Sequence, residues 1–422
     1  MNKSSSQADV SRRHFIKSSS LLAAGAVVAP YVITTHAAAD DPIRVGLIGC
    51  GGRGSGAIRD AKKSSPNVTL VALADVFEDR VKGCRDGLNK EGHDIAEEKC
   101  FSGFDAYQKL LAISDINYII LATPPGFRPV HFPAAIAAGK HVFMEKPVAV
   151  DGPGIRAIIK AGEEAAQKGL GVVAGTQRRH QKDYIETIKR LQDGALGEIQ
   201  CLRAYWNQGA IWNNPWKEGV SDMDNELHNW YHYVWLCGDH ICEQHVHNID
   251  VCNWVMNSHP IKAYGMGGRQ YLKGRGQIYD QFAVEFEYSG GVRMFSQCRQ
   301  IPECQDNVSE AVVGAKGTSD PGSSIQIKGG EEWHAPGGGA NPYVQEHTDN
   351  IAAIRAGKPL NEARQVAEST LTAIMGRESA YSGQIVEWET ALNSKLTYGP
   401  STYEFGPRPP VEVAMPGKHK FA

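Results

Sequence analysis

Several features that define other classes of protein are missing from this sequence. Its 422 residues carry 44 Lys and Arg against 47 Asp and Glu, so the net charge of −3 is not biased strongly to either sign. Proteins that bind nucleic acid are typically basic, and the composition therefore gives no reason to expect nucleic acid as a partner. The chain also has no internal repeat and no long low-complexity segment. With 42% hydrophobic and 22% charged residues, it has the composition of a globular protein.

Cysteine is present, but it lacks the pattern of a disulfide framework or a metal site. None of the nine cysteines forms a C-x-x-C pair, and their odd number suits a disulfide scaffold poorly. We interpret them mainly as small buried hydrophobic residues. Cys298 and Cys304 are close enough in sequence to pair, although nothing in the sequence requires it.

A long apolar run is absent everywhere except near the N-terminus. There, the stretch from Leu21 to Ile33 contains Gly25 and Pro30 and falls short of the ~20 apolar residues that span a bilayer. The preceding segment S-R-R-H-F-I-K resembles the twin-arginine export signal, and the alanines before Asp40 suit a cleavage site. We therefore expect a signal peptide at 1–39, export to the periplasm, and no stable membrane span after cleavage. The alternative is an uncleaved signal that tethers the protein to the membrane.

What the sequence does contain, from Ile43 onward, is an alternation of apolar strands with helical segments. The predicted strands are Ile43 to Ile48, Thr69 to Ala74, Asn117 to Ala122 and His141 to Met144. Strands that alternate with helices are typical of right-handed crossovers and a parallel sheet. We expect one α/β domain over residues 42–165.

The pattern changes in the second part of the chain. Asp280 to Tyr288 and Gly291 to Gln297 alternate apolar and polar residues and predict an antiparallel hairpin. Glu346 to Tyr381 returns to helical spacing. The expected organisation is an α/β domain at 166–396 with a mostly antiparallel open sheet, followed by an irregular arm at 397–422.

The first strand leads directly into a glycine motif that is typical of dinucleotide binding. Gly49, Gly51 and Gly54 form G-x-G-x-x-G between a predicted strand and a predicted helix, as the motif requires. Asp75 closes the second strand 26 residues after Gly49, near the ~20 expected for the acid that binds the ribose. A carboxylate there repels a 2′-phosphate, so we expect NAD rather than NADP. The same loop adds two further candidate cofactor contacts, Gly52 and Arg53.

The segment from Ala138 to Pro147, A-G-K-H-V-F-M-E-K-P, resembles the hallmark of the Gfo/Idh/MocA oxidoreductase family. The glycine loop and the pair Thr123-Pro124 occupy that family's expected places, and the resemblance runs from about Ile43 to Tyr381. It implies an N-terminal Rossmann domain, a C-terminal α/β domain whose sheet often mediates homo-oligomerisation, and an active site between them. The cofactor-binding residues it implies are Thr123, Pro124, His131, Glu145 and Lys146. One departure is the stretch 126–129, which is expected to lengthen the loop before His131.

A second family element has the form D-x-x-x-H-x-x-D. The matching residues here are Glu243, His247 and Asp250, with Glu243 standing where the family usually has Asp. The resemblance implies that His247 is the catalytic histidine, that Lys146 lies beside the nicotinamide, and that Asp250 is near the substrate. The alternative for Asp250 is a local role, as a cap or a hydrogen-bond acceptor.

The chemistry of alcohol oxidation is consistent with these residues. Removing a hydride from a carbinol carbon requires loss of the hydroxyl proton, and histidine is the natural base near neutral pH. If Glu243 and His247 share a helix face, the carboxylate can orient the imidazole. A lysine beside the reacting oxygen stabilises alkoxide charge. We therefore expect His247 as base, Lys146 as electrostatic partner or proton relay, and Glu243 as orienting group.

Further candidates for substrate contact lie outside these motifs. Gln177 and Arg178 follow a short apolar strand and resemble the family's segment near nicotinamide and substrate, with interdomain ion pairing as the alternative. Five tryptophans crowd one region and are candidates for stacking on a sugar, although they are equally ordinary core residues. They are Trp206, Trp212, Trp216, Trp230 and Trp235.

These observations leave several functions open. The first is NAD-dependent hydride transfer on a secondary alcohol of a sugar, cyclitol or glycoside. A variant retains its bound cofactor and uses transient oxidation to cleave a glycoside. A metal-dependent hydrolase or lyase using His240, Glu243 and His247 is a different class, favoured by their helical spacing. An inactive binding protein is opposed by the presence of both Lys146 and His247.

Overall fold

The computed structural model describes residues 41–421, so the expected signal peptide at 1–39 lies outside the described residues. Across 41–421, no helix combines the length and the apolar character needed to cross a membrane. All nine cysteines belong to this range and are free thiols, including Cys298 and Cys304. Six of the nine are buried, in keeping with their interpretation as small hydrophobic residues.

Six parallel strands form the first sheet. The strands are β1 (Ile43–Ile48), β2 (Val68–Asp75), β3 (Cys100–Ser102), β4 (Tyr118–Leu121), β5 (His141–Met144) and β6 (Val172–Ala174). The helices that connect them are α1 (Gly52–Ser64), α2 (Glu78–Lys90), α3 (Ala106–Leu111), α4 (Arg128–Ala137) and α5 (Gly152–Gln167). The spatial order β3-β2-β1-β4-β5-β6 is that of a Rossmann fold, which confirms the predicted fold class.

The first sheet extends beyond residue 165, where the sequence placed the domain boundary. β6 pairs in parallel with β5, so the sheet ends at Ala174. The sequence predicted a short apolar strand before Gln177 but did not assign it to the first sheet. The strand matters for the site, because the residues directly after it reach the same sheet edge as those after β5.

Nine strands form the second sheet. They are β7 (Ile199–Gln208), β8 (Pro260–Gly268), β9 (Gln281–Tyr288), β10 (Arg293–Gln300), β11 (Asn307–Gly314), β12 (Gly317–Asp320), β13 (Ser324–Ile327), β14 (Glu332–His334) and β15 (Val386–Glu387). Their order is β14-β13-β12-β11-β7-β10-β9-β8-β15, and all pairs are antiparallel except β7 with β10. The predicted hairpin is β9 and β10, and the mostly antiparallel sheet is confirmed.

Helices pack on one face of the second sheet and between the two sheets. They are α6 (Lys182–Gln192), α7 (Asp222–His228), α8 (Val234–Cys237), α9 (His240–Glu243), α10 (Val246–Met256), α11 (Pro342–Arg355), α12 (Ala363–Ser382) and α13 (Trp388–Asn393). The predicted helical region 346–381 is therefore two helices. Gly357, with φ of +66°, and Pro359 separate them, because neither residue continues a helix readily. α11 turns back and packs against α1 of the first domain.

Candidate active site

A cavity of about 600 Å³ opens along the edge where the parallel strands end. This is where open α/β sheets bind ligands, outside the carboxyl ends of their strands. The predicted site residues that line it are Gly49, Gly51, Gly52, Arg53, Asp75, Thr123, Pro124, His131, Glu145, Lys146, Gln177, Glu243 and His247. Gly54, Arg178 and Asp250 do not line it.

The glycine loop has the shape that a pyrophosphate requires. Gly49 has φ of +104°, and a Cβ built there would lie 2.6 Å from the backbone carbon of Ala122. At Gly54 a Cβ would lie 1.9 Å from the carbonyl oxygen of Gly49, so this glycine permits helix and strand to pack closely. A Cβ on Gly51 would meet nothing nearer than 3.8 Å, which leaves its backbone open toward the cavity. The free N–H groups at the start of α1 fit phosphate oxygens there.

Asp75 lies at the end of β2, beside the glycine loop. Its Oδ2 accepts a hydrogen bond of 2.7 Å from the Cys50 backbone N–H, and Oδ1 accepts one of 3.1 Å from Phe77. Burial raises the pKa of the Asp75 carboxyl, while these backbone hydrogen bonds and nearby Arg80 act in the opposite direction. The side chain is thus fixed at the cavity wall in the position expected for a ribose-binding acid.

The stretch 126–129 differs from the expectation of a lengthened loop. Pro125–Phe127 form a single 3₁₀ turn that continues directly into α4, which carries His131. Gly126 lies against the second domain, where a Cβ would be 2.0 Å from the carbonyl oxygen of Trp235, so a residue with a side chain does not fit this turn. His131 faces the cavity, and burial together with the charge of Arg128 lowers its pKa to about 3.

Arg128 is a functional-site residue that sequence reasoning missed. Its buried guanidinium donates to Thr123 Oγ1 at 3.1 Å, to the Thr123 carbonyl at 2.8 Å and to the Glu145 carbonyl at 3.0 Å. It therefore joins the turn after β4 to the turn after β5, which form one wall of the cavity. The sequence contained only weak evidence for a role of Arg128, since a single arginine beside a proline is usual at the start of a helix.

Arg53 forms ion pairs with Glu145 and with Glu346 of α11, a residue that was not predicted from the sequence. Arg53 Nε donates to Glu145 Oε1 at 2.5 Å, and Arg53 Nη2 donates to Glu346 Oε1 at 3.2 Å. The ring of Tyr343 lies 5.0 Å beneath the guanidinium and also lines the cavity. Burial and the charge of Glu145 raise the pKa of Glu346 well above its usual value. Nearly 200 residues separate Glu145 from α11, so no local pattern signals this contact.

Lys146 is held by Glu243, and this differs from the predicted role of the carboxylate. Lys146 Nζ donates to the Glu243 carbonyl at 2.5 Å and to Oε1 at 3.1 Å. Glu243 ends α9, whereas His247 lies in α10, and no hydrogen bond joins their side chains within the described residues. The prediction that Glu243 orients His247 was wrong because the helix is broken between them. Glu243 Oε2 is buried without a partner among the described residues, and the side chain borders the cavity.

His247 presents a neutral imidazole to the cavity. Burial, and then the positive charges of Lys146, Arg178 and Arg53, lower its pKa well below 6.5. Its ring stacks on Trp206 with centroids 5.6 Å apart and planes at 23°. Neither ring nitrogen makes a hydrogen bond to another described residue, so both remain available to a ligand.

The three residues predicted to contact substrate have different surroundings. Gln177 lines the cavity, and its Oε1 is buried without a partner in residues 41–421. Arg178 forms an ion pair with Glu310 instead. Asp250 is bound away from the cavity by Arg179, at 2.8 and 2.9 Å, and by Ser369 at 2.7 Å. The substrate role predicted for Arg178 and Asp250 is therefore not supported by their positions, since buried structural pairs occupy both.

Two of the five tryptophans reach the cavity. Trp206 and Trp230 line it, and Trp212 packs against Trp230 with centroids 5.6 Å apart. Trp216 lies under the guanidinium of Arg275, and Trp235 donates to Glu226, so these two have other partners.

The metal-site hypothesis is not supported by the geometry. His240 Nδ1 forms a hydrogen bond of 2.9 Å with the Tyr231 hydroxyl and does not line the cavity, whereas Glu243 is paired with Lys146. Among residues 41–421, no group of three or more His, Cys, Asp and Glu side chains is arranged to hold a metal ion.

The fold and the cavity together define a class of protein. The first domain presents an open glycine loop, an acid in the position expected for ribose binding, and Lys146. The second domain brings to the same cavity the neutral His247 and Glu243, which holds Lys146. This is the arrangement of a dinucleotide-dependent oxidoreductase with the substrate held between two domains.

Comparison with known proteins agrees with that class. The model of an oxidoreductase family with an NAD-binding Rossmann fold matches residues 43–175, and the Gfo/Idh/MocA C-terminal domain model matches residues 184–319. Together they account for more than half of the chain. The protein belongs to the Gfo/Idh/MocA family of NAD-binding oxidoreductases.

Individual relatives are distant. The chain is 26% identical over 361 residues to inositol 2-dehydrogenase 3 of Saccharopolyspora erythraea, covering 82% of this chain and 95% of the relative. It is 31% identical over 185 residues to glycosyl hydrolase family 109 protein 1 of Bacteroides fragilis, and this match covers 41% of this chain and 38% of the relative. The structure of aldose-aldose oxidoreductase from Caulobacter crescentus, complexed with glycerol, shares the fold with a TM-score of 0.65 at 18% identity. The match covers 82% of this chain and 99% of the other.

Proposed function

We propose that this oxidoreductase transfers a hydride between NAD and a secondary alcohol of a sugar, cyclitol or glycoside. The observation that carries the proposal is that Lys146 and His247, from different domains, face the cavity that begins at the glycine loop. Relatives named as inositol 2-dehydrogenases, one of which is covered over 95% of its length, support a polyhydroxylated substrate. The unpartnered acceptor oxygens of Gln177 and Glu243 are suited to hydroxyl donors.

The residues have separate tasks in this mechanism. The neutral His247 accepts the proton of the reacting hydroxyl at one of its ring nitrogens. Lys146 Nζ, held by Glu243, stabilises negative charge on the substrate oxygen as the proton leaves. Bound NAD supplies the acceptor for the hydride. The Lys146 side chain is 10% exposed and His247 is 8% exposed, so little bulk water reaches the reacting groups.

Asp75 supports NAD as the preferred cofactor. Its carboxylate, fixed by two backbone N–H groups, is suited to the ribose hydroxyls and repels a 2′-phosphate. Arg80 also lines the cavity near Asp75, and its positive charge would favour a phosphate. The relative affinity for NAD and NADP therefore measures whether Asp75 or Arg80 has the larger effect on cofactor choice.

A substrate panel tests the proposed function. Purified protein is incubated with sugars, inositols and glycosides in the presence of NAD or NADP, and the absorbance of the reduced cofactor is followed. We expect NADH to form with at least one polyol and NADP to react more slowly. A panel in which no polyol reduces either cofactor, and no ketone oxidises NADH, would contradict the proposal.

A second candidate is glycoside cleavage through transient oxidation by a retained cofactor. It is favoured by the relative named glycosyl hydrolase family 109 protein 1, although that match covers only 38% of the relative. Oxidation beside a glycosidic bond acidifies the neighbouring C–H, which permits elimination of the aglycone. Release of free aglycone without net NADH distinguishes this reaction from simple dehydrogenation.

We also propose export by the twin-arginine route and homo-oligomerisation. Export is supported by the S-R-R-H-F-I-K segment alone, and fractionation of cells expressing the full chain, against an Arg12→Lys, Arg13→Lys variant, tests it. An oligomer is supported by Tyr264, Met266 and Phe295, which are 56%, 68% and 45% exposed on the second sheet. Light scattering of the purified protein measures the assembly, and a strictly monomeric mass would contradict it.

A further inference from the structure

We propose that the C-terminal arm, residues 397–421, supports the aromatic wall of the pocket that binds the adenine of the dinucleotide. This inference rests on the proposed use of NAD and identifies the part of the chain that holds the half of the cofactor remote from the chemistry. The arm contains no helix or strand within the described residues, yet it is fixed to both domains.

The adenine end of the cavity follows from the strand order. The glycine loop follows β1, in the middle of the sheet, while Lys146 follows β5 on one side. A dinucleotide whose pyrophosphate lies at the glycine loop and whose nicotinamide lies at Lys146 must extend its adenosine toward β2 and β3. Asp75 ends β2, and two aromatic residues beyond these strands, Phe77 and Phe104, line the cavity there.

The arm supplies the rings that support these two aromatic residues. Phe405 lies with its centroid 5.0 Å from that of Phe104 and 6.0 Å from that of Phe77. Tyr403 lies 6.3 Å from Phe104 and 5.3 Å from Phe127, which also lines the cavity. These separations are those of favourable aromatic pairs.

The arm is also anchored on the second domain, so its rings are held in place. The Arg408 backbone N–H donates to Asp222 Oδ2 at 2.9 Å, and its Nε donates to Glu226 Oε2 at 3.2 Å. The Gly406 carbonyl accepts from the Met223 N–H at 3.2 Å. At its start, Tyr398 donates to buried Glu378 at 2.7 Å. The arm thus crosses from the second domain to the adenine side of the first.

This arrangement predicts a loss confined to the adenine half of the cofactor. Without Phe405 and Tyr403, the ring of Phe104 loses both of the aromatic contacts that it makes among the described residues. Phe77 keeps only its contact with His228 in this part of the chain, so the wall for a planar base is less firmly held. Lys146 and His247, which we assign to the nicotinamide half, contact Glu243 and Trp206 instead of these rings. Phe405 is 47% exposed, so its truncation leaves the folded core intact.

The experiment compares the binding of two ligands to the full-length protein. Dissociation constants are measured for NADH and for reduced nicotinamide mononucleotide, which lacks the adenylate. The proteins are the wild type, a Tyr403→Ala, Phe405→Ala double variant, a Phe405→Ala single variant, and Val413→Ala as a control. Val413 lies on the same arm, is 40% exposed and is outside the aromatic cluster.

We expect the double variant to bind NADH about tenfold more weakly, which corresponds to about 1.4 kcal/mol. Its affinity for the mononucleotide should stay within about twofold of the wild type, as should both affinities of Val413→Ala. Unchanged NADH affinity in the double variant would overturn the proposal, and so would an equal loss for both ligands. A wild type that binds the mononucleotide but not NADH would also overturn it, whereas a wild type that binds neither would overturn the cofactor assignment itself.

Discussion

Lys146 and Glu243 meet across the two domains, and their contact fixes the position of the lysine relative to the cavity. The ammonium is held by a carbonyl and a carboxylate oxygen of one residue, so its orientation does not depend on substrate. A pre-oriented charge stabilises a developing alkoxide without reorganising during the reaction. The pair is thus an electrostatic element of the site in addition to an interdomain link.

Replacing this lysine should remove catalysis and spare cofactor binding. We expect Lys146→Ala to lower kcat by about 10²–10³-fold, as loss of a charge-stabilising donor typically does. NADH affinity should change little, because the phosphates and ribose are bound elsewhere. Steady-state kinetics and a fluorescence titration of NADH measure the two quantities. Lys189→Ala, at a position where the side chain is 68% exposed, serves as the control. A Lys146→Ala enzyme of wild-type activity would contradict the assigned role.

The protonation of His247 should be visible in the pH dependence of oxidation. Since its pKa in the folded protein is lowered well below 6.5, the imidazole stays neutral as the pH falls through 6.5. We expect kcat/KM for alcohol oxidation to lose activity on the acidic side only below that value, because kcat/KM reports groups of the free enzyme. An acidic limb centred at or above 6.5 that disappears in His247→Asn would show that the imidazole is not held neutral.

At this scale the sequence predicted residues that belong to motifs and missed residues that act through long-range contacts. Lys146, His247 and Asp75 follow strands or occupy family motifs, and all three line the cavity. Arg128 and Glu346 were missed because their partners are placed by tertiary packing. The role of Glu243 was misassigned because the break between α9 and α10 contains no proline or glycine, and the sequence therefore did not predict it.

At the scale of elements, the junction of β1 and α1 determines the shape of the cofactor site. The strand and helix approach so closely at Gly54 that no side chain fits, while Gly52, two positions earlier, is open. This difference provides a matched pair of substitutions in one loop.

We expect Gly54→Ala to destabilise the protein by about 1–3 kcal/mol through overpacking, and to weaken NADH binding because α1 must shift. Gly52→Ala has no atom within 4 Å of the added methyl and should change the free energy of unfolding by less than about 1 kcal/mol. Thermal unfolding and NADH titration of both variants provide the measurement. Equal stabilities of the two variants would show that the close approach is absent.

Local patterns predicted most of these elements, and failures arose where pairing or packing decides. The apolar runs at β1, β4 and β5 and the hairpin β9–β10 were anticipated. The short apolar strand before Gln177 was predicted as well, but its place in the first sheet was not, because only its pairing with β5 defines that place. The turn at Gly126 was misjudged as a longer loop, because the close approach of Trp235 from the other domain is not visible in the local sequence.

At the scale of the whole molecule, the two domains share a hydrophobic core. One continuous cluster of buried residues includes Ile48 and Ile119 of the first sheet together with Leu202 and Phe286 of the second. Such a cluster couples the unfolding of the two sheets. Sequence composition predicted two domains, but it does not contain the information that their cores merge, because that depends on which faces α5, α10 and α12 present.

Ligand binding to the first domain should therefore stabilise the second. All eight tryptophans lie between Trp206 and Trp388, so tryptophan fluorescence reports on the part of the chain beyond the first sheet. At a hundredfold excess over its Kd, NAD should add about 2.7 kcal/mol of stability, and the tryptophan transition should move to higher temperature with the circular dichroism transition. Two separated transitions, with only the circular dichroism signal responding to NAD, would contradict a shared core.

The most direct test of the account is equilibrium binding of pyridine nucleotide to the folded protein. Calorimetric titration with NADH, combined with analysis of any nucleotide released on denaturing the purified protein, gives the total number of sites. We expect one site per chain, filled either on purification or during the titration. Folded protein that neither releases nor takes up NAD, NADH or their phosphorylated forms would contradict it.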